Sequence, residues 1–129
     1  MTRIAIIGAG LSGLTAAQFL KDFADITIFD KSRGTGGRMA TRRAAPYSFD
    51  HGTQFFTAKS EAFKSFITPL INAGVIVRWD ARFAQIEINK ITSHSIWNGE
   101  HPHYVGTPSM NTIGKYLSRE LNINLNTRI

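Results

Sequence analysis

The sequence predicts an α/β fold that opens as a strand, helix, strand unit with parallel strands and passes into the beginning of a second, antiparallel portion. Three observations predict it. A β-rich apolar run, Arg3-Ile4-Ala5-Ile6-Ile7, leads through closely spaced glycines into a helical pattern. A second apolar run, Ile26-Thr27-Ile28-Phe29, follows that helix and closes on Asp30. Beyond residue 57 the chain changes to a helix and short runs of antiparallel type before a last helix and strand.

Taken in order, residues 3–7 read as a central parallel strand buried on both faces. Residues 11–23 read as a helix with Leu14, Ala17 and Leu20 at helical spacing and Lys21 and Asp22 near its end. Residues 26–29 are a second buried strand, and two parallel strands this close in sequence are joined by a right-handed crossover. Residues 31–46 are glycine-rich, basic and aperiodic, hence a loop. Residues 60–73 form a helix capped by Ser60, with Phe63, Phe66, Ile67, Leu70 and Ile71 on one face and Pro69 expected to kink or end it. Residues 75–88 and 93–104 read as antiparallel strands, the second interrupted by Asn98-Gly99, a strong hairpin-turn pair. A helix over residues 109–121, with Met110, Ile113, Leu117 and Leu121 on one stripe, and a last strand over 123–129 complete the chain.

With 129 residues, 43% hydrophobic and 19% charged, the composition suits one soluble globular domain. No apolar run reaches the ~20 residues needed to span a bilayer. Met1-Thr2-Arg3 leads straight into a strand rather than a signal peptide, so no membrane association and a cytoplasmic location are expected. Cysteine is absent, which excludes disulfides, thiolate catalysis and Cys-ligated metal. The net charge of +6 is local: Lys31, Arg33, Arg38, Arg42 and Arg43 lie in one acid-free stretch between Asp30 and Asp50, and they ask for a local anionic partner.

Gly8-Ala9-Gly10-Leu11-Ser12-Gly13 lies directly after a strand and opens a helix, the context in which this glycine spacing marks a Rossmann-type, dinucleotide-binding turn. Gly8 allows the tight turn, Gly10 lets a pyrophosphate approach the backbone, and Gly13 lets the helix pack on the strand. The helix start offers the N–H groups of Leu11 and Ser12 to the phosphates. Asp30, about twenty residues on, stands where a carboxylate accepts the hydroxyls of an adenosine ribose, and it would repel a 2′-phosphate.

Three further segments carry a family resemblance. Asp30-Lys31-Ser32-Arg33-Gly34-Thr35-Gly36-Gly37-Arg38-Met39 resembles the second flavin signature of the amine-oxidase-like flavoproteins. Phe49-Asp50-His51-Gly52-Thr53-Gln54-Phe55-Phe56 resembles the segment that passes the flavin in the renalase-like branch of that group. Gly106-Thr107-Pro108-Ser109-Met110-Asn111 resembles the return of that branch from its substrate domain. The resemblance implies FAD as cofactor, held by Gly8, Gly10, Leu11, Ser12, Gly13, Asp30, Lys31, Gly37, Arg38, Met39, Gly52, Gln54 and Phe55. It divides the chain into an FAD-binding segment (1–56), a partial substrate domain (57–105) and a helix and strand returning to the FAD-binding domain (106–129). The implied activity is oxidation of a small reduced substrate, a reduced nicotinamide dinucleotide or an amine, with oxygen taking the electrons.

Plainer roles stand beside these. Arg38 suits a pyrophosphate because a guanidinium flanked by glycines can lie close and donate several bonds, and its plainer role is to pair with a carboxylate such as Asp50 and shape the loop. The side chains of Lys31, Arg33, Arg42 and Arg43 read as solvated or substrate-steering. Asp50 reads as fixing the turn at Gly52, and Phe56 as core. His51 is a lone histidine with no partner legible, so no catalytic residue is assigned. His101 and His103 read as structural loop residues, and no metal site is expected. Trp79 and Trp97 are either core or the wall of a substrate cage. A nucleic-acid reading, prompted by pI ≈ 10.1, ranks last, since the basic stretch lacks regular alternation with aromatic residues. The rival to an enzyme is a non-catalytic or truncated dinucleotide-binding fragment. In either case the bare edge of the first strand calls for a homo-oligomer or a missing carboxyl-terminal half.

Overall fold

A computed structural model of the chain describes residues 1–97 and 99–129. β1 (Arg3–Ile7), α1 (Leu11–Leu20) and β2 (Asp25–Phe29) form the expected strand, helix, strand unit. β1 and β2 pair in parallel, with Ile4 beside Ile26 and Ile6 beside Ile28. The alternation of strand side chains turns these four isoleucines to one face, where they share the core with Leu14 and Ala17 of α1. α1 stops three residues short of the expected end at residue 23, because a turn over residues 21–23 is needed to reverse the chain into β2.

The basic stretch is not all loop. Thr41–Ala44 forms β3 and pairs antiparallel with β4 (Tyr47–Asp50), Thr41 opposite Asp50 and Arg42 opposite Phe49. Both strands are largely exposed, so cross-strand pairing creates this hairpin without an apolar alternation to announce it. β5 (Phe56–Thr57) then leads to α2 (Glu61–Asn72), whose Ser60 cap accepts a hydrogen bond from the N–H of Phe63 at 3.2 Å. Pro69 lies inside this helix, which continues to Asn72 before Gly74, at φ 71°, turns the chain. With the proline so near the end, only the last turn loses a donor.

The remaining strands are β6 (Ile76–Arg78), β7 (Arg82–Glu87), β8 (Lys90–Ile96) and β9 (His103–Gly106). β9 lies between β5 and β6, antiparallel to both, while β7 and β8 form a separate hairpin. That hairpin turns at Ile88 and Asn89, with φ 47° and 62°, a pair of left-handed residues of the kind a two-residue hairpin loop requires. The expected turn at Asn98-Gly99 involves Asn98, which lies outside the described residues. His103 belongs to a strand rather than a loop.

α3 (Asn111–Leu117) and β10 (Asn122–Asn124) return the chain to the first sheet, where β10 pairs in parallel with β2. α3 is shorter than its stripe predicts, so Leu121 packs on the core from outside the helix. β10 also ends early. The N–H groups of Asn126 and Thr127 turn to the carbonyls of Ser32 and Asp30 instead of extending the strand. The sheet order is β1-β2-β10, so β1 is an edge with both partners on one side. β1 is not buried on both faces: Arg3, Ala5 and Ile7 are exposed, Ile7 by 64%.

Candidate functional site

The turn after β1 is built from contacts that require glycine. Gly8 has φ 105°, and its N–H donates to the Phe29 carbonyl at 2.8 Å. A Cβ on Gly13 would collide with the Gly8 carbonyl oxygen, so α1 starts directly against the turn. Gly10, by contrast, could carry a Cβ in ordinary contact, 3.9 Å from Gly37 Cα. Gly10 is the cap of α1 and offers no side chain to its first turn. Among the described residues the N–H groups of Leu11, Ser12 and Gly13 find no acceptor. They form, with the helix dipole, a donor set suited to an anion.

Asp30 closes this turn from β2. Its Oδ2 accepts from the N–H of Ala9 at 2.6 Å and its Oδ1 from the N–H of Ser32 at 2.7 Å. Burial pushes its pKa up, but the hydrogen bonds of Ala9 and Ser32 and the charge of Lys31 outweigh burial and hold it below the ordinary aspartate value. The carboxylate is thus kept anionic while each oxygen retains accepting capacity.

A second glycine loop lies on the first. Gly36 donates to the Ala9 carbonyl at 2.8 Å and bridges to Gly10, and Gly37, at φ 58°, brings its Cβ position to 3.1 Å from Gly10 Cα. Met39 is buried beneath this loop, its N–H donating to Gly36 at 3.1 Å. The side chains of Lys31 and Arg38 are exposed. Among the described residues no ion pair joins Arg38 to Asp50, because Asp50 is engaged elsewhere: it accepts from Thr41 Oγ1 at 2.6 Å and from the N–H of Met110 at 3.1 and 3.2 Å. Asp50 therefore fixes the start of α3 rather than the turn at Gly52.

Gly52 reaches Arg38 through the backbone. A Cβ there would collide with the Arg38 carbonyl oxygen, which also accepts from the N–H of Thr53 at 2.8 Å. Gln54 is exposed, as is His51, whose N–H donates to Ala40. Phe55 joins an aromatic cluster, 4.8 Å from Trp97 and 5.3 Å from His103 between ring centroids. Trp97 stacks on His103 at 3.8 Å with planes 2° apart, and Trp79 meets Trp97 edge-on at 5.3 Å. These rings pack on one another, and Phe55 and Trp79 remain 41% and 44% exposed. Phe56 packs with Phe63 and Tyr104 against the core, as expected of it.

Two contributors escaped the sequence reading. Thr41 Oγ1 accepts from the N–H of Asn111 at 3.2 Å while donating to Asp50. Gly114, inside α3, lies so near the second glycine loop that a Cβ would come 2.6 Å from Gly36 Cα. An isolated glycine within a helical stripe was the available signal for the latter. Among the described residues no helix is long and apolar enough to cross a membrane.

Residues 6–70 match a family described as NAD(P)-binding Rossmann-like domain. A 59-residue segment, 43% of this chain, is 37% identical to coproporphyrinogen III oxidase of Staphylococcus aureus (strain NCTC 8325 / PS 47) and covers 13% of it. A 51-residue segment, 39% of this chain, is 41% identical to 4,4'-diapophytoene desaturase (4,4'-diaponeurosporene-forming) of Staphylococcus aureus (strain Newman) and covers 10% of it. Both segments are thus small parts of those proteins. Wild-type putrescine oxidase with putrescine bound is similar in fold, with a TM-score of 0.50 and 22% identity over 76% of this chain and 21% of that one.

Proposed function

The chain belongs to the NAD(P)-binding Rossmann-like domain family, and from that premise we propose that it is the cofactor-binding portion of an FAD-dependent oxidoreductase. The observation that carries the reading is the pair of stacked glycine loops. A nicotinamide-binding fold needs only the first, formed by Gly8, Gly10 and Gly13. The second sets Gly37 against Gly10 and leaves the Arg38 guanidinium exposed beside it. FAD, when bound, supplies the hydride-accepting chemistry, and the chain binds and orients it.

In this reading the N–H groups of Leu11 and Ser12 take the pyrophosphate and Gly10 admits it. Asp30 accepts the ribose hydroxyls with the oxygen capacity left over from Ala9 and Ser32, and the 2′-phosphate of an NADP-type adenosine is repelled. Arg38 neutralises the pyrophosphate, with Lys31, Gly37 and Met39 shaping that loop. Gly52, Gln54 and Phe55 run along the flavin. Residues 1–56 and 106–129 belong to the FAD-binding part and 57–105 to a substrate domain. The substrate is a small reduced molecule, a reduced nicotinamide or an amine as in the renalase-like branch, with oxygen as acceptor.

A second reading, a dinucleotide-binding fragment without activity of its own, is favoured by the open edge of β1 with Ile7 exposed. The test is reconstitution: purified chain mixed with FAD and passed over a desalting column should retain a flavin spectrum. Addition of a reduced nicotinamide or an amine in air should then bleach and restore it. Retention without bleaching selects the second reading, and loss of the flavin refutes the proposal.

A further inference from the structure

We infer that α3 is a strut that holds the second glycine loop in place, with Gly114 and Asp50 as positioning residues for the group that loop binds. The inference rests on the reading of residues 30–39 as a cofactor loop.

The loop has little structure of its own. It contains Gly34, Gly36 and Gly37, and the conformations of the last two, φ 112° and 58°, carry the high entropy of glycine. On one side it is held by the first turn, through the Gly36 N–H on Ala9. On the other side it is held by α3 at two points. At the first, Gly114 lets the helix approach so closely that a Cβ would lie 2.6 Å from Gly36 Cα and 2.9 Å from Gly36 N. Glycine weakens a helix interior, so its place in a seven-residue helix runs against propensity and answers to that approach.

At the second point, the start of α3 is tied to the β3–β4 hairpin. Met110 donates to both oxygens of Asp50, and Asn111 donates to Thr41 Oγ1, which donates to Asp50. Thr41 and Asp50 form the cross-strand pair nearest Arg38, and the ladder runs on through His51 to Ala40 and Thr53 to Arg38. One helix therefore grips the chain on both sides of Arg38, at Gly36 and at Thr41, and among the described residues it makes no hydrogen bond to the guanidinium or to the first turn's amides. A displacement of α3 moves Arg38 relative to Gly10 without altering any cofactor contact chemically.

The experiment compares wild type with Gly114→Ala, Asp50→Asn and, as a control on the outer face of α3, Lys115→Ala. Amide hydrogen exchange is read at Gly36 and at Leu14, and FAD affinity by flavin fluorescence. Gly114→Ala is expected to speed exchange at Gly36 at least tenfold, leave Leu14 unchanged and weaken FAD at least tenfold. Asp50→Asn should do the same to a smaller degree, and it carries the test if Gly114→Ala does not fold. Lys115→Ala should match wild type. Wild-type exchange and FAD affinity in the folded variants overturn the inference. Faster exchange at Gly36 in a chain whose wild type takes no FAD overturns the cofactor reading and the positioning role with it.

Discussion

The carboxylate of Asp30 accepts a hydrogen bond from the N–H of Ala9 at 2.6 Å, tying the end of β2 to the turn that follows β1. A residue expected to meet a ligand thus also holds the turn that would receive it. Asp30→Ala should destabilise the chain without any ligand by ~1.5–3 kcal/mol, the range for losing bonds to a charged acceptor. Asp30→Asn should lose less, since an amide oxygen still accepts. Urea denaturation of the three proteins checks this, and equal midpoints would deny Asp30 its structural part.

The same bonds give a pH dependence. Asp30 has a folded pKa below its ordinary value, so the folded chain binds this proton less readily than the unfolded one. Its contribution is complete above the unfolded value of about 3.9 and is lost as pH falls through the folded value below that. The stability difference between wild type and Asp30→Asn should be constant from neutral pH down to that region and shrink in stronger acid. A difference that shrinks between neutrality and pH ~5 would point to another group.

The glycines of the first turn should separate by role. Gly13→Ala forces a Cβ into the Gly8 carbonyl and should cost ~1–3 kcal/mol or more of stability, as overpacking does. Gly10→Ala has room and should leave thermal unfolding near wild type, while its methyl group stands where a phosphate would approach the backbone. Melting curves paired with FAD titrations distinguish them: Gly13→Ala lowers stability, Gly10→Ala lowers affinity.

Arg38 is exposed, and its alternative partner Asp50 is committed to Met110 and Thr41. Arg38→Ala should therefore leave stability unchanged and weaken FAD by ~1.5–3 kcal/mol, the worth of a charge-assisted contact. A matched fall in stability would show that the side chain shapes the loop instead.

Most of the first sheet was legible because it is local: a strand, a glycine-spaced turn and a helix each announce themselves within a few residues. β3 was not, since Arg42 and Arg43 carry no apolar alternation and become a strand only by pairing with Phe49 and Ser48. The turn at Ile88-Asn89 lacks the glycine that drew attention to Asn98-Gly99. The contacts of Asp50 with Met110, sixty residues apart, and of Gly114 with Gly36 have no local signature. The glycines of the candidate site could be named from sequence, but the helix that braces them could not.

The measurement that bears most directly on the central claim is a pair of calorimetric titrations of the wild-type chain and of Gly10→Val, one with FAD and one with NAD. The account predicts that wild type binds FAD in preference to NAD and that Gly10→Val, whose side chain blocks the approach to the backbone, binds neither. Tight binding of NAD with none of FAD, or equal binding of FAD by both proteins, would contradict it.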